Sequence, residues 1–396
     1  MEIQSSKKWV MPFIAALFAM LCLQMSNLGF SPLLPSIQTE FGLSYSQIGL
    51  FTGMYGIIAI LFSVPTGLAI KRWGEKNVLL VGSTIVILGL FLLSQSANFT
   101  SALVNRAIWI GGYRFCFIAI LTAVSLTAPS HLKGRVMGIV GAVASLASVI
   151  GAPLAGGLAE RFGWRYGFAG YIVTDLLSLI VIYFFYTRQS QGQVGTLHQV
   201  GNESEKSTVN AFKLPFVWGL GLVISMAGMS SLTITYFVPS AADAIFGMKK
   251  TETAWIISLG YLLAIPVNLF AGYCSDKYSK WWTVITLTTI SIVSLYFLSS
   301  KNQTVFTYAA ILVLASSFAC TNQNYSIAGE VVKGKETGNV MGLISLLTGI
   351  SAYLGPQLLG ILRDKTGAFD AGWFFIMTIV SIALVGIFIL KKFVKA

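Results

Sequence analysis

Long apolar runs set the rhythm of this chain. Val78–Leu93, Trp281–Leu298 and Trp373–Leu390 each carry almost no charge. Runs of about 18 residues are long enough for a helix to cross a bilayer. Short polar gaps separate them. Reading each run as a helix predicts twelve spans, at roughly 9–30, 48–70, 77–95, 102–128, 135–158, 166–187, 214–238, 253–275, 281–299, 304–330, 338–362 and 372–391. The longest polar stretch, Thr187–Lys213, is rich in Gln, Ser, Gly, Asn and Glu, the composition of a solvated linker. It divides the chain into 1–187, a linker at 188–213, and 214–396. The expected fold is an all-α membrane protein: twelve transmembrane helices in two pseudo-symmetric six-helix bundles.

The two halves repeat. Gly134-Arg-Val-Met-Gly138 opens span 5, and Gly338-Asn-Val-Met-Gly342 opens span 11, 204 residues later. Pro153 returns as Pro356 after 203 residues, and Gly67 as Gly272 after 205. Offsets this close at three separate spans argue for an internal duplication, a design used by transporters.

Composition narrows the class. The chain is 55% hydrophobic and 10% charged, against about 25% charged in soluble domains. The net charge of +12 could suggest nucleic acid, but the basic residues occupy the gaps between spans rather than one arm. No nucleic-acid partner is expected. With the N-terminus inside, most Lys and Arg fall on one side, including Lys7, Lys8, Lys71, Arg72, Lys76, Lys391 and Lys392. The positive-inside rule then places both termini in the cytoplasm. The first run is long enough to span and lacks a cleavage pattern, so it reads as span 1 rather than a signal peptide. Cys22, Cys116, Cys274 and Cys320 lack paired spacing and read as free thiols. Neither a metal cluster nor a nucleotide-binding loop nor a nucleophile triad is visible, so neither an enzyme nor a cofactor is expected.

The gap after span 2 reads Gly67-Leu-Ala-Ile-Lys71-Arg72-Trp-Gly74-Glu-Lys76, and the gap after span 8 reads Gly272-Tyr-Cys-Ser-Asp276-Lys277. Arg106 precedes Arg135 by 29 residues, and span 5 carries Gly151-Ala-Pro153-Leu-Ala-Gly156-Gly157. Span 11 repeats this as Gly355-Pro356-Gln-Leu-Leu-Gly360. On these motifs the chain resembles the major facilitator superfamily over nearly its whole length. It departs from the family pattern at Lys71, where an aspartate is usual, and at Ile110, where a glycine is usual. The stretch from Pro32 through Gly49 is also similar to cyanate-type and nitrate-type porters and organic-anion symporters.

The resemblance implies that spans 1, 4, 7 and 10 line the transport pathway and that spans 2, 5, 8 and 11 gate it. Arg114 lies midway along span 4, where a charge costs about 2.5–3.5 kcal/mol and marks a functional site by default. Its guanidinium fork suits a carboxylate or similar planar anion. The alternative is that it only braces helices, the reading preferred for Arg106. Further candidate contacts are Tyr113 on span 4, Gln24 and Asn27 on span 1, Tyr236 on span 7, and Asn322, Gln323 and Tyr325 on span 10. Tyr55 and Tyr353 occupy gate-like positions on spans 2 and 11. Gly67, Lys71, Arg72, Gly74, Asp276, Lys277 and Glu330 form candidate cytoplasmic latches. Pro153, Gly156 and Pro356 allow bending and close helix approach. Asp175, on a peripheral span, is expected to make a structural hydrogen bond to span 5 or span 3.

The function expected is secondary active transport of a small organic or inorganic anion across a bacterial inner membrane. It would act by proton symport or anion exchange, as a monomer in the lipid bilayer. A drug or metabolite efflux antiporter is the rival within transport. A non-transporting receptor or scaffold is the rival outside it.

Overall fold

The computed structural model describes residues 10–127, 133–186, 215–331 and 337–395. The expected linker at 188–213 lies outside these residues. Among them every regular element is helical. They are α1 (Val10–Gly29), a 3-10 turn (Ser31–Leu33), α2 (Leu34–Phe41), α3 (Tyr45–Trp73), α4 (Glu75–Ser94), α5 (Phe99–Thr127), α6 (Lys133–Phe162) and α7 (Trp164–Phe185). After the break come α8 (Pro215–Phe246), α9 (Lys250–Lys277), α10 (Lys280–Phe297), α11 (Gln303–Val331), α12 (Thr337–Thr366) and α13 (Asp370–Lys395).

Each expected span has a helix at its position. The short α2 was not expected. It continues the line of α1 beyond the turn at Pro32 and ends at Gly42, whose φ of 61° is left-handed. Several helices run past their apolar stretch: α8 continues through Pro239 to Phe246, against an expected end near 238. Gly74 has a φ of 80°, so α3 stops and α4 starts at once without the penalty a side chain would pay there.

Among the described residues, eleven helical segments are long and apolar enough to cross a membrane. The 18-residue α10 is not among them; it opens on Lys280 and carries Thr283, Thr286, Thr288, Thr289 and Ser291. All five hydroxyls donate to a carbonyl one turn back. That satisfies them locally and lowers the cost of burying them.

The described residues fall into two compact units. The first holds residues up to Leu43, those from Ile57 to the end of α7, and Met248–Ser258. Within it α1 packs on α5, α6 and α7, while α4 packs on α5 and α7, and α6 on α7. The second holds Ser44–Gly56, α8 and the chain from Leu259 onward. There α8 packs on α11, α12 and α13, while α10 packs on α11 and α13, and α12 on α13. The second set repeats the first, pair by pair.

The repeat extends to single contacts. A side chain at Gly151 would stand 2.7 Å from the carbonyl oxygen of Met25. At its counterpart Gly355, a side chain would stand 2.9 Å from Cγ of Met229, 204 residues after Met25. Cys116 Sγ lies 3.5 Å from Ser83 Oγ, and Cys320 Sγ lies 3.3 Å from Thr288 Oγ1. All four cysteines are free thiols, three of them buried and Cys274 partly exposed.

Candidate functional site

In the first unit the polar side chains of α1 and α5 meet. Tyr113 is buried and donates its hydroxyl to Gln24 Oε1 at 2.9 Å. Asn27 Nδ2 donates to the same oxygen at 3.3 Å. The Tyr113 ring stacks on Phe117, with centroids 5.7 Å apart and planes 15° apart. Arg114 is half-buried, its guanidinium carbon 5.9 Å from the Phe117 ring centre. Gln24, Asn27, Tyr113, Phe117 and Arg114 therefore form one neighbourhood. Helical geometry accounts for it. Residues 113, 114 and 117 share a face of α5, and residues 24 and 27 share a face of α1.

Arg106 is a different case. It is fully buried, with its guanidinium carbon 4.1 Å from the ring centres of both Phe30 and Trp109. A desolvated cation between two aromatic faces is held by their quadrupoles at about 2 kcal/mol or more. The guanidinium thus lies against Trp109 of its own helix and Phe30, just beyond the end of α1.

In the second unit the expected contacts separate. Asn322 is exposed and donates to Asn268 Oδ1 of α9 at 2.9 Å. Gln323 and Asn324 are buried, the latter 3.5 Å from Cys320 Sγ. Tyr236 is buried in α8. The side chains of Tyr325, Asp276 and Glu330 lie outside the described residues. Thr235 of α8 and Tyr261 of α9, the latter singled out by no sequence signal, pair through their hydroxyls at 3.0 Å.

Tyr353 is half-buried on α12 and packs against Gly53 of α3, where an added Cβ would stand 2.9 Å from the Tyr353 carbonyl oxygen. Tyr55 is half-buried on α3. Gly49 abuts Pro356, with 2.5 Å from a Cβ position to the Pro356 carbonyl oxygen. Gly156 abuts Ala254 in the same manner at 2.7 Å. Pro153 lies inside α6 as Pro356 lies inside α12. Lys71, Arg72 and Lys277 are exposed at the ends of α3 and α9, and Gly67 has open space around it.

Two acid contacts escaped the sequence reading. The Asp364 carboxylate accepts the backbone N–H groups of Tyr45 and Ser46, both at 2.8 Å, at the start of α3. Glu160 accepts the backbone N–H of Thr251 at 3.1 Å and also its hydroxyl, at the start of α9. Glu160 and Asp364 are 204 residues apart, the offset of the duplication, and that spacing was the available signal. These caps lie at the opposite ends of α3 and α9 from Lys71 and Lys277. Asp175 is buried. It borders a void of about 10 Å³ shared with Ser83 of α4, on the third span, and Cys116 of α5.

Two repeated bundles of apolar helices, one of them holding a cluster of polar side chains, define a multi-pass integral membrane protein. The sequence profile of the Major Facilitator Superfamily matches residues 16–325 and 220–395. The chain belongs to the major facilitator superfamily, whose members are transporters and not enzymes. It is 22% identical over 411 residues to a putative tartrate transporter of Agrobacterium vitis, covering 97% of this chain and 90% of that one. It is 22% identical over 370 residues to a probable nitrate transporter, NarT, of Staphylococcus epidermidis, covering 92% of each. Its fold matches a bacterial homologue of the human lysosomal transporter Spinster, solved inward-facing and occupied. The TM-score is 0.77, with 15% identity over 98% of this chain and 97% of that one.

Proposed function

We propose that this protein is a secondary active transporter of a small organic or inorganic anion, with Arg114 as the anion's main ligand. The reading rests on one observation: a half-buried guanidinium over Phe117, whose stacking partner Tyr113 is hydrogen-bonded to Gln24 and through it linked to Asn27. Arginine binds planar anions through paired N–H donors, and the neighbouring amides and phenol add donors and acceptors without charge. Similarity to tartrate and nitrate transporters supports the same substrate class. The transport cycle in this reading is alternating access of the two halves, 1–187 and 214–396. The protein is a monomer with twelve spans, α10 included, and with both termini cytoplasmic. Protons or a counter-anion supply the driving force.

The test is a thermal-shift screen of the purified protein against tartrate, nitrate, other small anions and cationic drugs. Anions should raise the melting temperature of the native protein. Arg114→Ala should melt at the native temperature without ligand and lose the anion-dependent rise. Arg114→Lys should recover part of it, since an ammonium lacks the fork. Stabilisation by cations alone, or an undiminished anion response in Arg114→Ala, overturns the proposal.

A further inference from the structure

A lateral groove of about 550 Å³ runs between α9 and α10 in the second unit. One wall is a single face of α9, from Leu263 through Val267 and Phe270 to Cys274. The other is a single face of α10, from Trp282 through Thr286 to Ile290. The α9 wall runs over twelve residues of helix, about 16 Å from first to last at the helical rise. Its sides are almost wholly apolar, and its volume falls in the range of about 300–1,000 Å³ typical of ligand sites.

The two walls converge on the turn at Tyr278 and Ser279, and there the chemistry changes. Lys277 ends α9 and Lys280 begins α10. Lys277 Nζ donates to the Tyr273 hydroxyl at 2.9 Å and lies 5.5 Å from the ring centre of Tyr278, a groove residue. Lys391 of α13 sets its Nζ 3.6 Å from the ring centre of Trp282, also a groove residue. Tyr273, Tyr278 and Trp282 are all exposed. Against these three lysines the turn carries one acid in sequence, Asp276.

Exposed Tyr and Trp are characteristic of headgroup depth in a bilayer. Lysine stems lie along apolar surface while their ammonium groups reach the interface. Basic pockets between membrane helices recognise anionic lipid headgroups. We propose that the groove between α9 and α10 is a binding site for one anionic phospholipid. One acyl chain occupies the apolar cleft from Cys274 towards Leu263, and Lys277, Lys280 and Lys391 hold the phosphate at the mouth. This assignment is independent of the transported substrate, because none of these residues belongs to the Arg114 neighbourhood.

The groove can be tested by native mass spectrometry of the full chain in detergent, with dioleoyl phosphatidylglycerol or dioleoyl phosphatidylcholine added. The native protein should retain one phosphatidylglycerol with at least about fivefold preference over phosphatidylcholine, as expected for a site built on charge. The triple variant K277A/K280A/K391A should retain the two lipids equally. Thr286→Trp, which fills the cleft from an exposed position, should lose retention of both. A second readout uses Cys274, the only partly exposed thiol among four free cysteines. Its labelling by a maleimide should slow when phosphatidylglycerol is added to the native protein but not to the triple variant. Equal retention of both lipids by the native protein, or an unchanged preference in the triple variant, would mean that bulk lipid fills the cleft without recognition. Either result overturns the proposal.

Discussion

Arg106 is closed between two rings, while Arg114, two turns further along α5, keeps part of its side chain outside the core. The difference in burial gives each a different expected phenotype. Arg106→Ala removes two desolvated cation–π contacts and leaves a void between Phe30 and Trp109. It should lower stability by about 2–4 kcal/mol, seen as a reduced melting temperature and poor recovery of folded protein. A normal melting curve for Arg106→Ala would remove the packing role. Tyr113→Phe keeps the stack on Phe117 and deletes only the bond to Gln24. It should cost about 0.5–1.5 kcal/mol, read as up to about tenfold weaker anion binding with little change in melting. The sequence flags both arginines because a charge inside an apolar run is conspicuous. It does not show Phe30 approaching Arg106, since that contact spans 76 positions of chain. Nor does it show that Asn322 bonds Asn268 of α9, because a run of four polar residues has no visible face until the helix is packed.

At the scale of helices, the tight crossings follow small residues. Gly151 against Met25 and Gly355 against Met229 leave no space for a side chain. Gly151→Val or Gly355→Val should each destabilise by about 1–3 kcal/mol through overpacking, and the two should behave alike because they are repeats of one contact. A melting curve for either variant that matches the native protein would contradict this. The acid caps act at helix starts. Asp364 and Glu160 each neutralise backbone donors that would otherwise lack helical partners, worth about 0.5–2 kcal/mol per cap. Asp364→Ala should speed hydrogen exchange of the amides from Tyr45 to Gly49. Glu160→Ala should do so from Thr251 onward, and the two effects should be separable. Unchanged exchange in either segment would show that cap to be ornamental. The Gly–Pro words of spans 5 and 11 are readable in sequence. For the caps the 204-residue spacing of Glu160 and Asp364 is the one signal, because a surface acid near a helix end otherwise looks like any solvated charge until its partner helix is known.

At the scale of the whole molecule, the duplication governs the architecture. The same helix pairs pack in each unit, the same cysteine–hydroxyl contact recurs, and the same cap is made twice. The charge distribution adds a topology: the side holding Lys71, Lys277 and the linker residue Lys206 should be cytoplasmic. A cysteine placed at 206 should resist an impermeant thiol reagent in intact cells, and labelling there would reverse the orientation. Helix positions, their membrane character and the two-fold repeat are legible from sequence alone. Apolar length and charge placement are local properties, fixed by the chemistry of each segment in a bilayer. The sequence also shows which residues carry unusual chemistry. Which of them meet is a matter of packing: Tyr113 with Gln24, Asp364 with the start of α3. Those contacts join residues 89 and 319 positions apart. Only the interlocking of whole helices, set by small residues and side-chain volume, decides them.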